Sequence, residues 1–206
     1  MFGLRTPFSL VFLSWVTAAS ALSAEFHWDR YLLGLGAAFF GLVVGAHYID
    51  IAGSKGKYRP FFPEMNAQRV MVIGVAAALV GAALGIYIAL AYNLLFLVFV
   101  ALASFSAIFY PLEKPRILHS YAGFGLAWGF LPALGAYYLQ SFKVNLLSLG
   151  FAAFVGITVV QMHHMAVLSN EKENPAAVTR NARYLLKLHR AAAVSLGLLL
   201  LISKLV

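Results

Sequence analysis

One stretch of this chain, residues 70–112, runs for 43 positions without Asp, Glu, Lys or Arg. Five further uncharged runs occupy 6–24, 31–49, 117–142, 144–170 and 191–203. A soluble domain is usually about a quarter charged and about half apolar. Here 11% of residues are charged, 62% are apolar and the mean hydropathy is +0.85, so one water-facing core cannot absorb the hydrophobic surface and lipid must be the solvent for most of it. An α-helix needs about 20 residues to cross a hydrocarbon layer of about 30 Å. The 43-residue run is too long for one crossing, and Tyr92-Asn93 near its middle is a natural turn. The expected fold is therefore an all-α polytopic membrane protein. A single domain, 1–206, would carry seven transmembrane helices near 6–24, 31–50, 68–91, 94–111, 118–140, 145–168 and 189–206.

The charges that remain are unevenly placed. With the N-terminus in the cytoplasm, the inner side receives Arg5, Lys55, Lys57, Arg59, Arg69, Lys114, Arg116, Lys172, Arg180, Arg183, Lys187 and Arg190, twelve of the fifteen cations. The outer side keeps Arg30, Lys143 and Lys204. This is the positive-inside signature of a multi-pass protein of the cell's inner membrane. It accounts for the net charge of +8 without nucleic acid. Residues 1–24 also have the look of a signal peptide, with Arg5, an apolar stretch and Ala19-Ser20-Ala21 at a cleavage-like position. We read this segment as a retained first helix.

No cysteine is present, which removes disulfides, thiolate metal sites and thiol nucleophiles and leaves oxygen and imidazole chemistry. Two of the three inner loops, 50–68 and 169–188, are long and polar, so the inner face is the expected seat of function. Within the latter, 176–188 suits an interfacial helix with Arg180, Arg183 and Lys187 on one face. Lys55, Lys57, Tyr58 and Arg59 on the first inner loop, Lys114 and Arg116 on the second, and Arg180 and Arg183 on the third suit a ligand with an anionic head and an apolar tail. Ionisable groups at helix ends in a membrane tend to line a cavity. His47 and Asp50 share a face of helix two. With His163 or His164 at the end of helix six they are a candidate set for zinc or another His-bound transition metal, provided the two helix ends converge.

Several segments then resemble a known family. Tyr110-Pro111-Leu112-Glu113-Lys114 resembles the YxxxK element of the UbiA superfamily of intramembrane prenyltransferases, and it falls between helices four and five as it does there. Residues 129–140, GFLPALGAYYLQ, are similar to the helix-five segment of the dihydroxynaphthoate branch, which makes menaquinone precursors. Tyr58-Arg59-Pro60 is similar to the YRP or DRP after that family's first aspartate motif. The first motif, NDxxDxxxD, lines up on 46–54 and keeps only Asp50. The second, NxxxDxxxD, lines up on Ala166, Asn170 and Asn174, with Arg180 beyond, and both of its aspartates appear as asparagine. Glu171 and Glu173 lie close enough to substitute. The resemblance covers roughly residues 40–185.

It implies a UbiA-like bundle around a central cavity that opens to the cytoplasm. There an isoprenoid or prenyl diphosphate would give its prenyl group to a small aromatic or quinone-type acceptor. Asp50, Lys114 and Tyr110 would be catalytic. Arg59, Lys55, Lys57, Asn170, Asn174 and Arg180 would hold the substrate, and Asp50 with Glu171 would hold Mg²⁺. Asparagine is a much poorer Mg²⁺ ligand than carboxylate, and His47 beside the eroded motif points toward a softer metal, with His164, or toward proton transfer. Members of the family normally have nine helices. Seven would leave the cavity to be closed by a second copy or a membrane partner, or would suit a bulkier ligand. Two further readings are a non-catalytic isoprenoid-, quinone- or pigment-binding subunit and a His-metal membrane enzyme.

Overall fold

The computed structural model describes residues 6–53, 66–109, 120–170 and 174–205. Among them the chain forms seven helices and no strand: α1 (Thr6–Ala21), α2 (Trp28–Gly53), α3 (Ala67–Ala91), α4 (Phe96–Phe109), α5 (121–141), α6 (Leu146–Asn170) and α7 (Ala176–Ile202). Four of them, α2, α3, α6 and α7, are long and apolar enough to cross a membrane. The uncharged run at 70–112 breaks after Ala91, where the Asn93 side chain accepts from the Leu95 amide and starts α4. The segments near 176–188 and 189–206 are one helix rather than an interfacial piece and a separate crossing. Neither Gly nor Pro interrupts 176–196, and the alanines there favour continuation.

α1 organises the interior. Its Val11, Phe12, Trp15, Val16, Ala18 and Ala19 are at most 4% exposed, and it packs against α2, α5, α6 and α7. Trp15 meets the edges of Phe151 and Phe154 on α6, and Phe12 meets Trp128 on α5. One continuous cluster joins these side chains to Leu42, Val43, Val155, Val159 and Ala193. The cleavage-like Ala19-Ser20-Ala21 lies inside this cluster's end, at most 3% exposed. α7 closes the ring directly onto α1, its Gly197 so close to Ser14 that a Cβ there would lie 2.7 Å from the Ser14 carbonyl oxygen.

Lipid supplies no hydrophobic drive between helices, so close backbone approach must do that work through van der Waals contact. The small residues of α2 and α3 meet for this reason, and a Cβ on Gly81 would sit 2.4 Å from the Cα of Gly41. Both helices that carry function-like motifs contain π-helical turns, Phe39–Ala46 in α2 and Leu126–Phe130 in α5. In α5 the cause is local. Pro132 has no N–H to offer the carbonyl one turn back and its ring crowds that position, so the turn before it widens.

The opposite end, where α1, α3, α5 and α7 finish, is stapled by polar contacts. Arg30 donates to the Gln140 carbonyl (2.9 Å) and lies over Phe142 and Tyr92, while the Gln140 side-chain oxygen accepts from the His27 amide at 2.7 Å. Lys204 reaches the Ser23 carbonyl at 3.0 Å, and Tyr92 donates to the Asp29 carboxylate at 2.6 Å. That carboxylate holds the Tyr92 hydroxyl above its ordinary pKa of 10.0.

Two outcomes follow. In detergent, Gly81→Val should lower stability by about 2 kcal/mol or more, whereas Gly150→Ala, inside α6 and with a Cβ that would meet nothing within 4 Å, should raise it by up to about 1 kcal/mol. Because Tyr92 binds its proton more tightly when folded, its contribution is complete below the unfolded pKa near 10 and is lost as pH rises through the raised value. Tyr92→Phe should therefore cost no more than about 0.5 kcal/mol at neutral pH, the contact being solvent-exposed, and wild type and variant should converge as pH rises through the raised value in a denaturant series.

Candidate anion-binding groove at the basic end

At the end where α2 and α6 finish and α3, α5 and α7 begin, an open groove of about 690 Å³ lies between the last turn of α6 and the first turns of α7. Ser169, Asn170, Asn174, Arg180, Arg183 and Lys187 supply its polar lining. A helix C-terminus leaves four carbonyls without intrahelical partners and carries partial negative charge. Here the lining residues meet them. Asn170 donates to the Ala166 carbonyl (2.9 Å), Asn174 to Leu168 (3.1 Å), and Arg183 reaches Ser169 through Nε and Nη2 at 3.3 and 3.2 Å. These bonds fix the two asparagines and one guanidinium against α6. Arg180 and Lys187, three residues before and four after Arg183, stand on the same stretch of α7 and are exposed.

Three of the residues expected to touch substrate, Asn170, Asn174 and Arg180, therefore share one groove. Arg183, Lys187, Thr179 and Tyr184 join them. The three-and-four spacing of Arg180, Arg183 and Lys187 was the available signal for the cations, but spacing alone does not separate a groove wall from a face resting on lipid. Lys55, Lys57, Arg59, Tyr110, Lys114 and Glu171 lie outside the described residues.

The described lining is cationic or neutral. Three positive side chains repel a divalent metal, and the asparagines offer only neutral oxygens, so these residues by themselves do not make a Mg²⁺ site. They suit a phosphate, which takes hydrogen bonds and charge from guanidinium and ammonium together.

His47 and Asp50 stand apart from this groove, on the last turns of α2. His47 is buried against Phe8 (centroids 6.5 Å apart), and Asp50 is half-buried. Across the bundle His163 stacks on Phe124 at 4.5 Å, and Tyr121 lies against both His163 and His164, its hydroxyl 3.5 Å from His164 Nδ1. The rings of Phe8, Trp128 and Phe124 follow one another between the two histidine positions. Among the described residues no group of three His, Asp or Glu is placed to hold a metal.

Comparison of the chain with protein-family models, with curated proteins and with solved structures finds no match.

Arg183→Met removes two bonds from the end of α6 and should cost about 1 kcal/mol, the value for a charged donor reduced by its exposure. Arg183→Lys, which keeps the charge but loses the fork, should recover less than half of that in the same unfolding assay.

Proposed function

We propose that the protein is a UbiA-like integral membrane protein of the inner membrane, with seven helices crossing and the N-terminus in the cytoplasm. It holds a prenyl diphosphate or related isoprenoid by its head and transfers the prenyl group to a small aromatic acceptor. The observation that carries the reading is the gathering of Asn170, Asn174 and Arg180 with Arg183 and Lys187 in one groove at the end that bears most of the cations. Bond breaking at the allylic carbon leaves pyrophosphate, whose charge the groove's cations stabilise while the acceptor's electrons form the new carbon–carbon or carbon–oxygen bond and its proton departs. Asp50, half-buried at the end of α2 and apart from the groove, enters on the strength of the first-motif resemblance, as the carboxylate that would take that proton. Lys114, Tyr110 and Arg59 enter on the strength of the YxxxK and YRP resemblances. No step is assigned to a metal.

A second reading, binding without transfer, is favoured by the same lining: a groove of cations and amides retains a phosphate head without activating it. Purified protein in nanodiscs, supplied with geranylgeranyl diphosphate and a dihydroxynaphthoate acceptor, separates the two. Transfer predicts pyrophosphate release that falls at least about tenfold in Asp50→Asn and in Arg180→Gln, a loss of about 1.4 kcal/mol of transition-state stabilisation. Retention of the diphosphate, lost in Arg180→Gln but untouched by Asp50→Asn and unaccompanied by release, establishes the binding subunit.

A further inference from the structure

The groove has a continuation that decides what kind of tail its ligand carries. From Tyr184, which lines it, a stripe of exposed residues climbs α7 at helical spacing: Leu188, Ala191, Ser195 and Leu198. Steps of four, three, four and three residues keep all five on one face. The stripe changes character along its length. Arg180, Arg183, Lys187 and Arg190 crowd its lower half, and no charged residue follows until Lys204. Ala191 and Ser195 carry small side chains between the larger Leu188 and Leu198.

The depth of the groove follows from helix geometry. α7 has 27 residues and so is about 40 Å long, longer than the roughly 30 Å of a hydrocarbon layer. Its far end is held at the opposite end of the bundle by Lys204 on Ser23. The uncharged run 191–203 with the cations Arg190 and Lys187, whose stems can lie along hydrocarbon while their heads reach the headgroups, puts the membrane boundary near 187–190, at the upper edge of the groove. A phosphate bound there sits at headgroup level with its tail directed along the hydrocarbon. The alternative course, into the bundle, meets the packed axis of Phe12, Trp15, Leu42, Trp128 and Val155.

Resting on the phosphate-binding reading above, we propose that the ligand is a membrane-resident lipid with a phosphate or diphosphate head, and that its tail lies outside the bundle along the Tyr184–Leu198 stripe, in contact with the bilayer. The protein then selects the head and is indifferent to tail length, because nothing encloses the tail's far end.

The test uses the full chain in phosphatidylcholine nanodiscs, with dissociation constants measured for geranyl, geranylgeranyl and a long polyprenyl diphosphate and for inorganic pyrophosphate. Values for the three lipids are expressed as bilayer mole fraction after correction for partitioning. The expected result is agreement among them within about threefold, with Arg180→Gln/Lys187→Gln weakening all three alike. Ala191→Trp, which sets a bulky ring in the middle of the stripe, should weaken the lipids but leave pyrophosphate unchanged. A sharp optimum at one chain length, or indifference of all three lipids to Ala191→Trp, overturns the external tail while leaving head binding intact. Failure of all four probes to bind overturns the phosphate reading itself.

Discussion

The placement of α1 conditions the rest of the architecture. A helix whose side chains are apolar on almost every side can be buried in the middle of a bundle, and α1 touches four of the other six helices there. Its aromatic residues Phe12 and Trp15 are large enough to fill the axis. With that space occupied, α7 can lie directly on α1, and the ring closes with the helices at hand. Phe8, Trp128 and Phe124 follow one another between the positions of His47 and His163, and an open groove lies between α6 and α7.

Polar chemistry is consequently confined to the two ends, which are built differently. At the end bearing Arg30 and Gln140, donors and acceptors meet one another: a guanidinium on a carbonyl, an amide oxygen on a backbone N–H, a tyrosine on a carboxylate. That end is a staple between α2, α5 and the α3–α4 turn. At the basic end the guanidinium of Arg183 and the two asparagine amides secure the last carbonyls of α6, and the neighbouring Arg180 and Lys187 add charge to the groove beyond what α6 requires. Excess charge of one sign around an open groove is what recognition of an anion needs.

Much of this was legible before any coordinates. Uncharged runs mark helices because their length matches what a membrane requires, and the Tyr92-Asn93 interruption lies where α3 gives way to α4. Gly41, Gly45 and Gly81 bring α2 and α3 together, and Gly85 meets Val100 of α4. The site was only partly legible. Asn170 and Asn174 come from a motif resemblance, Arg180 and Arg183 also from the cations suited to an anionic head, and Lys187 only from the interfacial face. Periodicity shows which residues share a face and is silent on what that face lies against.

The sequence by itself determined the class of solvent, the helical backbone and the end at which positive charge accumulates. Each is a local consequence of composition: hydrocarbon tolerates neither unpaired backbone groups nor unpaired charge. Tertiary structure alone decided that α1 is buried against α2, α5, α6 and α7 and that 176–202 is one helix leaning on α1 and α6. These outcomes depend on the fit of side-chain volumes between helices distant in the chain, such as Trp15 against Phe154 or Gly197 against Ser14. Volume complementarity is a property of pairs of surfaces, and no single helix's pattern contains it.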